Sequence, residues 1–361
     1  MSTLRNRARW ALLLASGPAA ALAQRTADPA WVEATVARGW GLRVAAALSR
    51  VTGTVSFSIG EVCVVGLVAG AAVGMWRTFR PTDRWARARR ALPWVLATAS
   101  LTWAWGMATW GLNYRREPIR KAFGYSVSKP TPDELGQLGA ALISELNDTR
   151  AEVSEDPSGV ARLGDDIPDA FRRASATFDR LGERHGFLGG SYAPPKPIFL
   201  SPILSLLGIG GVYNPLTAEP NLNVDMPTFF LPFNACHELA HQRGIAREDE
   251  ANFVGWLAAH DDAGADFRYS AARFASRHIV VAWGRTNQAE AWELWQSRSA
   301  GVLRDEAAVD AWRARYDTII ADAGEAVNDA YLRSNGVHDG VESYGRVTDL
   351  LVAWWRAREG L

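Results

Sequence analysis

Two long apolar stretches stand out in the N-terminal third of the chain. Residues 55–76 contain a single charged residue, Glu61, and residues 91–112 contain none. Each stretch is long enough to cross a bilayer as a helix, which takes about 20 residues at a rise of 1.5 Å per residue. The pattern therefore predicts two transmembrane helices, the second with tryptophans near its ends.

A shorter apolar run, residues 10–23, follows three arginines at the N-terminus. The run is short for a span, and it ends in Ala-Leu-Ala, as signal-peptide cleavage sites do. Segment 1–23 is therefore predicted to be either a cleaved signal or a short uncleaved transmembrane anchor. Residues 24–54 carry charges of both signs and are interpreted as a loop between this segment and the first long apolar stretch.

The loop between the two long apolar stretches, residues 77–90, contains six arginines and one acidic residue. Because positively charged loops stay in the cytoplasm, this loop is predicted to be cytoplasmic. The loop 24–54 and residues 113–361 then lie outside the cytoplasm. This topology predicts a multi-pass protein of the cell membrane, with the lipid bilayer as one partner.

Residues 113–361 have mainly helical spacing of apolar positions. Residues 131–134 (TPDE) match a capping box with proline at the first helical position, and residues 167–185 predict a second amphipathic helix. Residues 194–225 are rich in Pro, Gly and Asn and predict two or three short strands with turns. The predicted fold class is mainly α with a small β element, an α+β domain that follows N-terminal transmembrane helices.

Charge and cysteine content exclude two other classes of protein. The chain has 361 residues with 39 basic and 39 acidic side chains, and this balance argues against nucleic acid as a partner. The two cysteines, Cys63 and Cys236, lie in an apolar run and beside a histidine motif, so a disulfide scaffold is not expected.

The residues that carry chemistry are concentrated in residues 236–253, which read CHELAHQRGIAREDEANF. His237 and His241 are four apart and so face the same side of a helix, where two imidazoles can bind one Zn²⁺ ion. Glu238 lies about 100° further round the helix. It is therefore predicted to take a proton from a water at the metal, as in the H-E-x-x-H motif of metallopeptidases.

A third ligand is predicted from the acidic residues that follow Gly244, a suitable residue to end the first helix. Glu248 is the preferred ligand, because Asn252 lies one turn further on and can orient a histidine. Glu250 is the alternative. Asp249 and Asn252 are predicted to contact the metal ligands without binding the metal themselves. All three acids also suit the first turn of a helix for purely electrostatic reasons.

Two other interpretations of the motif remain open at this stage. A fourth protein ligand, Cys236 or Asp249, would close the site and favour a non-catalytic binding or sensor domain on the membrane. Alternatively, an open site could hydrolyse an amide of cell-wall material, since nothing in the residues separates such an amidase from a peptidase.

The motif region resembles the gluzincins, whose pattern is H-E-x-x-H followed by E-x-x-x-D/N on the next helix. In that pattern Glu248 corresponds to the metal ligand, and Asn252 stands where Asp is more usual. The whole chain also resembles an uncharacterised bacterial membrane family, the domain of unknown function 3810. The shared features are the N-terminal spans, the motif G-x-Y-N-P-x-T-x-E-x-N, residues 236–253 and residues 328–347. The resemblance implies a zincin-like catalytic domain and a membrane peptidase of peptide or protein substrates.

Two flanking segments supply further candidates. Asn214, Asn221 and Asn223 precede the motif helix, in the place where a substrate-binding strand borders the cleft of zincins, and are predicted to line that cleft. Tyr344 and His338 lie in a Gly- and Asn-rich segment near the C-terminus. They are predicted to stabilise the oxyanion of the transition state.

Overall fold

The computed structural model describes residues 2–79, 84–317 and 346–360, with the isolated positions 326, 329, 330 and 333. These residues are mainly helical and contain one small sheet, which confirms the predicted fold class at this coarse level. The α-helices are α1 (Ser2–Thr26), α2 (Pro29–Trp31), α3 (Gly41–Thr52), α4 (Ile59–Phe79), α5 (Arg84–Thr109), α6 (Ile119–Phe123), α7 (Pro132–Glu152), α8 (Ile167–Arg184), α9 (Ser201–Leu206), α10 (Leu231–Gln242), α11 (Glu248–His260), α12 (Ala265–Gly284), α13 (Gln288–Gln296), α14 (Ala300–Ala314) and α15 (Val347–Glu359).

The sheet has three short strands in the order β1 (Lys196–Pro197), β3 (Glu219–Leu222), β2 (Gly211–Asn214). β1 runs parallel to the central strand β3, and β2 pairs with it antiparallel. The strands lie in the segment that was predicted to hold two or three of them. Part of that segment forms α9 instead, because Pro202 in its first turn suits a helix start.

The core is built around α10 and α11, which pack against each other and against α8 and α12. The helices that surround them begin where the sequence predicts. Thr131 and Glu134 form the expected capping box at the start of α7, and Asp166 caps α8 by accepting a hydrogen bond from the Asp169 N–H.

The N-terminal helices begin and end at other residues than predicted, and among the described residues fewer of them qualify as membrane spans. Among the described residues, one helix, Ile59–Arg77, is long and apolar enough to cross a membrane by length and composition. The first apolar run is part of the longer helix α1, which packs against α5: the rings of Trp10 and Trp94 are 4.7 Å apart. The second predicted span, residues 91–112, falls largely within α5. The several spans and their topology therefore stay predictions.

Residues 24–54, predicted to be the loop between two membrane segments, are helical almost throughout. It packs against the C-terminal part of the chain: Gln242 donates to Ser49 Oγ at 3.0 Å, and Lys196 Nζ donates to the Thr52 carbonyl at 2.6 Å. Glu33 and Arg116 form an ion pair with N···O at 2.9 Å. The polar side chains of the segment thus bind partners distant in sequence, and the segment is part of the same packed body as α10.

Candidate metal centre

The two motif histidines lie on α10 as predicted, one turn apart. Their Nε2 atoms are 3.0 Å apart, and both face the same point beside the helix. α10 ends at Gln242, and Gly244 follows with φ of +76°, a left-handed conformation that glycine adopts without strain. This turn brings the start of α11 back to the face of α10 that carries the histidines.

Glu248, the first residue of α11, completes a cluster with the histidines. Its Oε2 atom lies 3.3 Å from His237 Nε2 and 3.5 Å from His241 Nε2. Ligand atoms around a tetrahedral ion with bonds of about 2.1 Å are about 3.4 Å from one another. The three separations in the cluster therefore fit a single small ion, and little rearrangement is needed to bind one.

The alternative ligand, Glu250, points away from the cluster. Its Oε1 atom accepts hydrogen bonds from the Ile119 N–H at 2.8 Å and from Arg247 Nη2 at 2.6 Å. The first of these contacts ties α11 to the start of α6. The structure thus brings Glu248, and not Glu250, to the histidines.

The remaining predicted neighbours of the ligands are buried close by on α10 and α11. Asp249 lies with its carboxylate 3.5 Å from Arg346 Nε, and burial together with Glu250 raises the pKa of Asp249 to about 6. Cys236 is fully buried in the main core, which raises the pKa of its thiol. Neither side chain belongs to the three-residue cluster of possible ligands.

His241 is oriented by the backbone. Its Nδ1 atom is 2.7 Å from the Ile245 carbonyl oxygen, which can only accept, so Nδ1 carries the proton and donates. Nε2 of the neutral ring is then free to bind an ion. Asn252 is buried on α11 one turn after Glu248, and its predicted role of orienting a histidine stays a prediction.

The electrostatics of the cluster suit a cation. Burial by itself favours the neutral forms, but the neighbouring histidines hold the pKa of Glu248 well below its usual range. Against the opposing effect of burial, the carboxylates of Glu248 and Glu238 raise the pKa of His241 to about 9. A positive charge is thus stabilised between these side chains, and either a proton or a metal ion can supply it.

Glu238 lies beside the cluster against the edge strand β2. Its side chain is fully buried against Gly211 and Tyr213 of β2, and its Oε2 atom has no hydrogen-bond partner among the described residues. Burial raises its pKa, while the two histidines act in the opposite direction. A buried carboxylate with one unoccupied oxygen and a raised pKa is suited to accept a proton from a nearby water.

The comparison with protein families covers this whole arrangement. The profile of one family matches residues 38–352, a range that includes α4, α5, the sheet and the cluster. The chain belongs to DUF3810, a family described as proteins of unknown function. Neither the curated proteins nor the solved structures gave a match to the chain.

In this DUF3810 chain the predicted cleft asparagines occupy different surroundings. Asn221 and Asn223 are buried, and their amides donate to the Glu219 carbonyl at 2.8 Å and to Ser205 Oγ at 3.0 Å. They stabilise the sheet and do not line an open cleft. Asn214, at the end of β2, borders a cavity next to α5. Tyr344 and His338 lie outside the described residues.

Several residues at the site could not be found from the motif. Trp110, which follows α5, packs edge-on against His241 with ring centroids 5.5 Å apart, and its ring also contacts Tyr213 at 5.0 Å. Gly211 of β2 leaves room for Glu238, since a Cβ atom there would lie 2.7 Å from Glu238 Oε1. The sequence G-x-Y, residues 211–213, marks these positions of β2 as part of a motif. Nothing in the sequence around Trp110, beyond its apolar neighbours, indicates that it lies at the site.

Gly255 of α11 sets the distance between the two helices that carry the ligands. A Cβ atom at this position would lie 2.8 Å from both Cα and N of His237, where backbone atoms cannot give way locally. We expect Gly255→Ala to push α10 and α11 apart, to lower the free energy of unfolding by about 1–3 kcal/mol, and to weaken binding of added Zn²⁺. Thermal unfolding and Zn²⁺ titration of the detergent-purified chain measure both effects.

The matched control for this prediction is Gly284→Ala, at the end of α12. A Cβ atom there meets only Ala291 Cβ at 3.5 Å, an ordinary contact. It is expected to leave both Zn²⁺ affinity and stability near the wild-type values. Equal Zn²⁺ affinity and equal stability in both variants would show that the helix contact at Gly255 does not determine the cluster geometry.

Proposed function

We propose that this DUF3810 protein is a zinc-dependent metallopeptidase anchored in the cell membrane. The observation that carries the proposal is the convergence of His237, His241 and Glu248 at tetrahedral spacing beside Glu238. Two imidazoles and one carboxylate form a ligand set of catalytic zinc sites, which keep the fourth position free for water or substrate. When bound, zinc lowers the pKa of such a water and polarises a carbonyl group.

The side chains around the cluster favour an open site over a closed one. His237 and Glu248 keep 13% and 14% of their side-chain surface exposed, so a small molecule can approach from one side. Cys236, the candidate for a fourth ligand, lies within the core, and Asp249 is close to Arg346 instead. These contacts support a hydrolase over a non-catalytic sensor domain, in which a closed site would be expected.

Glu238 is the proposed proton carrier. Its unoccupied carboxylate oxygen can take a proton from the attacking water, and the acid thus formed can deliver that proton to the leaving amine. Burial favours the transfer because it raises the pKa of Glu238 toward neutrality, where uptake and release are both possible. Gly211 of β2 leaves the space that this carboxylate occupies, since a Cβ atom there would lie 2.7 Å from Glu238 Oε1.

β2 is the proposed binding edge for a peptide or protein substrate. Among the described residues its one strand neighbour is β3, and the Asn223 N–H donates to the Gly210 carbonyl just before β2. Since backbone groups alternate along an antiparallel pair, those of Gly211 and Tyr213 point to the outer edge, beside Glu238. An extended peptide that adds to this edge brings its own carbonyl groups to the cluster.

The proposed location is the cell membrane, with the cluster outside the cytoplasm. One apolar helix of suitable length and the arginine-rich segment that follows it support this orientation.

Metal removal and restoration test the proposal. The full chain, purified in detergent, is expected to contain one zinc per chain by elemental mass spectrometry and to cleave a fluorogenic library of random peptides. A chelator is expected to abolish cleavage, and added Zn²⁺ to restore it, because an ion shared by three side chains binds reversibly. Cleavage that survives complete removal of metal would refute the proposal, as would a chain that binds no metal.

A further inference from the structure

The start of α4 is fixed to the sheet that borders the cluster. Glu219 of β3 accepts hydrogen bonds from the N–H groups of Ile59 at 3.0 Å and Gly60 at 2.8 Å. Glu61 of α4 in turn accepts hydrogen bonds from the N–H groups of Phe199 at 3.0 Å and Leu200 at 2.7 Å. The helix that is apolar enough to span a bilayer therefore begins at the sheet, with no flexible linker between them.

This attachment keeps the cluster close to the end of the span. β3 carries Glu219, and β2 lies one strand spacing away, about 4.8 Å, with Glu238 against its other side. Large apolar side chains are exposed around the start of α4, with Phe199 90% exposed, Phe57 55% and Ile203 50%. Such a surface favours contact with lipid. The site thus lies next to the bilayer surface and not at a distance from it.

A cavity of about 710 Å³ extends from this region along α5. We call it the α5 groove, and its lining includes Trp94, Thr102, Gly106, Trp110, Asn214 and Leu216. The length of helix between Trp94 and Trp110 is about 24 Å, close to the thickness of the apolar part of a bilayer. The volume is within the range of cavities that bind ligands. Almost all of its lining is apolar, so its occupant is apolar over a similar length.

The α5 groove leads to the cluster at one end. Trp110 lies at that end, and its ring contacts both His241 and Tyr213. Asn214, which also lines the groove, is the last residue of β2. A chain that leaves the groove at this end therefore reaches the edge of β2 and then Glu238. A lipid tail can fill the groove, but only a polypeptide continues into an edge strand by backbone pairing.

We propose that the substrate is a membrane-inserted polypeptide whose apolar segment lies in the α5 groove and whose scissile bond lies just outside the bilayer. The inference rests on the proposed function and adds the substrate class to it. It also explains why the cluster is held at the end of a span: a site so close to the bilayer reaches bonds that adjoin a membrane segment.

Photo-crosslinking in nanodiscs tests where such a polypeptide binds. The probe is a biotinylated peptide with a Leu/Ala span of about 20 residues joined to an extended extramembrane segment. The full-length Glu238→Gln protein carries benzoylphenylalanine in place of Thr102, in the groove, or in place of Leu67, which is exposed on α4. Crosslinking at the Thr102 position is expected to exceed that at the Leu67 position by about tenfold, the effect of burying one aliphatic side chain.

A pair of glycine variants makes the test specific to the groove. A Cβ atom at Gly106, in the α5 groove, or at Gly70, on α4, meets nothing within 4 Å. Gly106→Trp fills the groove and is expected to reduce crosslinking about tenfold, whereas Gly70→Trp leaves it unchanged. Equal crosslinking at the Thr102 and Leu67 positions, or no effect of Gly106→Trp, would overturn the inference and show that lipid occupies the groove.

Binding and hydrolysis are read separately in this design. Because Glu238→Gln serves as the binding background, groove occupancy does not depend on catalysis. A wild-type protein that crosslinks the span peptide in the groove but never cuts it supports the groove assignment and contradicts the proposed peptidase activity. A wild-type protein that cuts the free extramembrane peptide as fast as the span peptide contradicts the inference and leaves the peptidase activity intact.

Discussion

Glu238→Gln is expected to abolish peptide hydrolysis while the metal remains bound. Glutamine has nearly the same size and shape as glutamate, so the side chain keeps its place against Gly211 of β2. What the variant loses is the ability to take up and release a proton. Removal of a general acid–base of this kind lowers rates by about 10²–10⁴-fold. Initial rates on the fluorogenic library, together with zinc per chain, measure the two expected results.

A distant carboxylate provides the control for this variant. Glu290, in the first turn of α13, is exposed, and Glu290→Gln is expected to match the wild type in both measurements. A Glu238→Gln protein that keeps more than about a tenth of the wild-type rate would exclude Glu238 as the proton carrier, given the size expected for that role. Simultaneous loss of zinc would instead show that Glu238 maintains the ligand geometry.

The part of the site that the sequence predicts is the part governed by local geometry. The spacing of His237 and His241 fixes their common face through helix periodicity, and Gly244 provides the left-handed turn that starts the return to α11. Glu248 then meets the histidines because it is the first residue of the next helix. No contact distant in sequence is needed to infer these relations.

The choice between Glu248 and Glu250 depends on a contact that spacing does not reveal. Glu250 is occupied by the Ile119 N–H and by Arg247, and Ile119 belongs to a helix far earlier in the chain. The predictions for Asn221 and Asn223 differ from the structure for the same reason. Asn221 and Asn223 have the residue type of a polar cleft, but their amides satisfy carbonyl and hydroxyl groups inside the fold. Polar side chains in a turn-rich segment can line a cleft or stabilise the fold, and only their hydrogen-bond partners distinguish these two roles.

Segment 24–54 and Trp110 show a second limit of the sequence. The mixed charges of the segment resemble those of a loop, but its polar side chains bind partners far away in sequence, such as Gln242 and Arg116. Trp110 belongs to an apolar stretch whose pattern predicts a membrane span, although its ring packs on His241. Long-range packing of this kind has no periodic signature, so it cannot be derived from local pattern.

Glu248→Gln is expected to remove most of the bound zinc, whereas Glu250→Gln is expected to retain it. Within the described part of the chain, Glu248 Oε2 is the one carboxylate oxygen that lies at ligand spacing from both histidines. Loss of an orienting group behind a ligand already costs about 10–100-fold in metal affinity, so loss of a charged ligand is expected to cost more than about 100-fold. Zinc per chain after dialysis against buffered free Zn²⁺ measures the difference.

Glu250→Gln serves as the matched control because it changes the same charge two residues away on the same helix. It weakens the ion pair with Arg247 and the bond from the Ile119 N–H, so its expected effect is a loss of about 1.5–3 kcal/mol in the free energy of unfolding. If Glu250→Gln loses zinc and Glu248→Gln keeps it, α11 rotates when the ion binds, and the ligand assignment must be reversed.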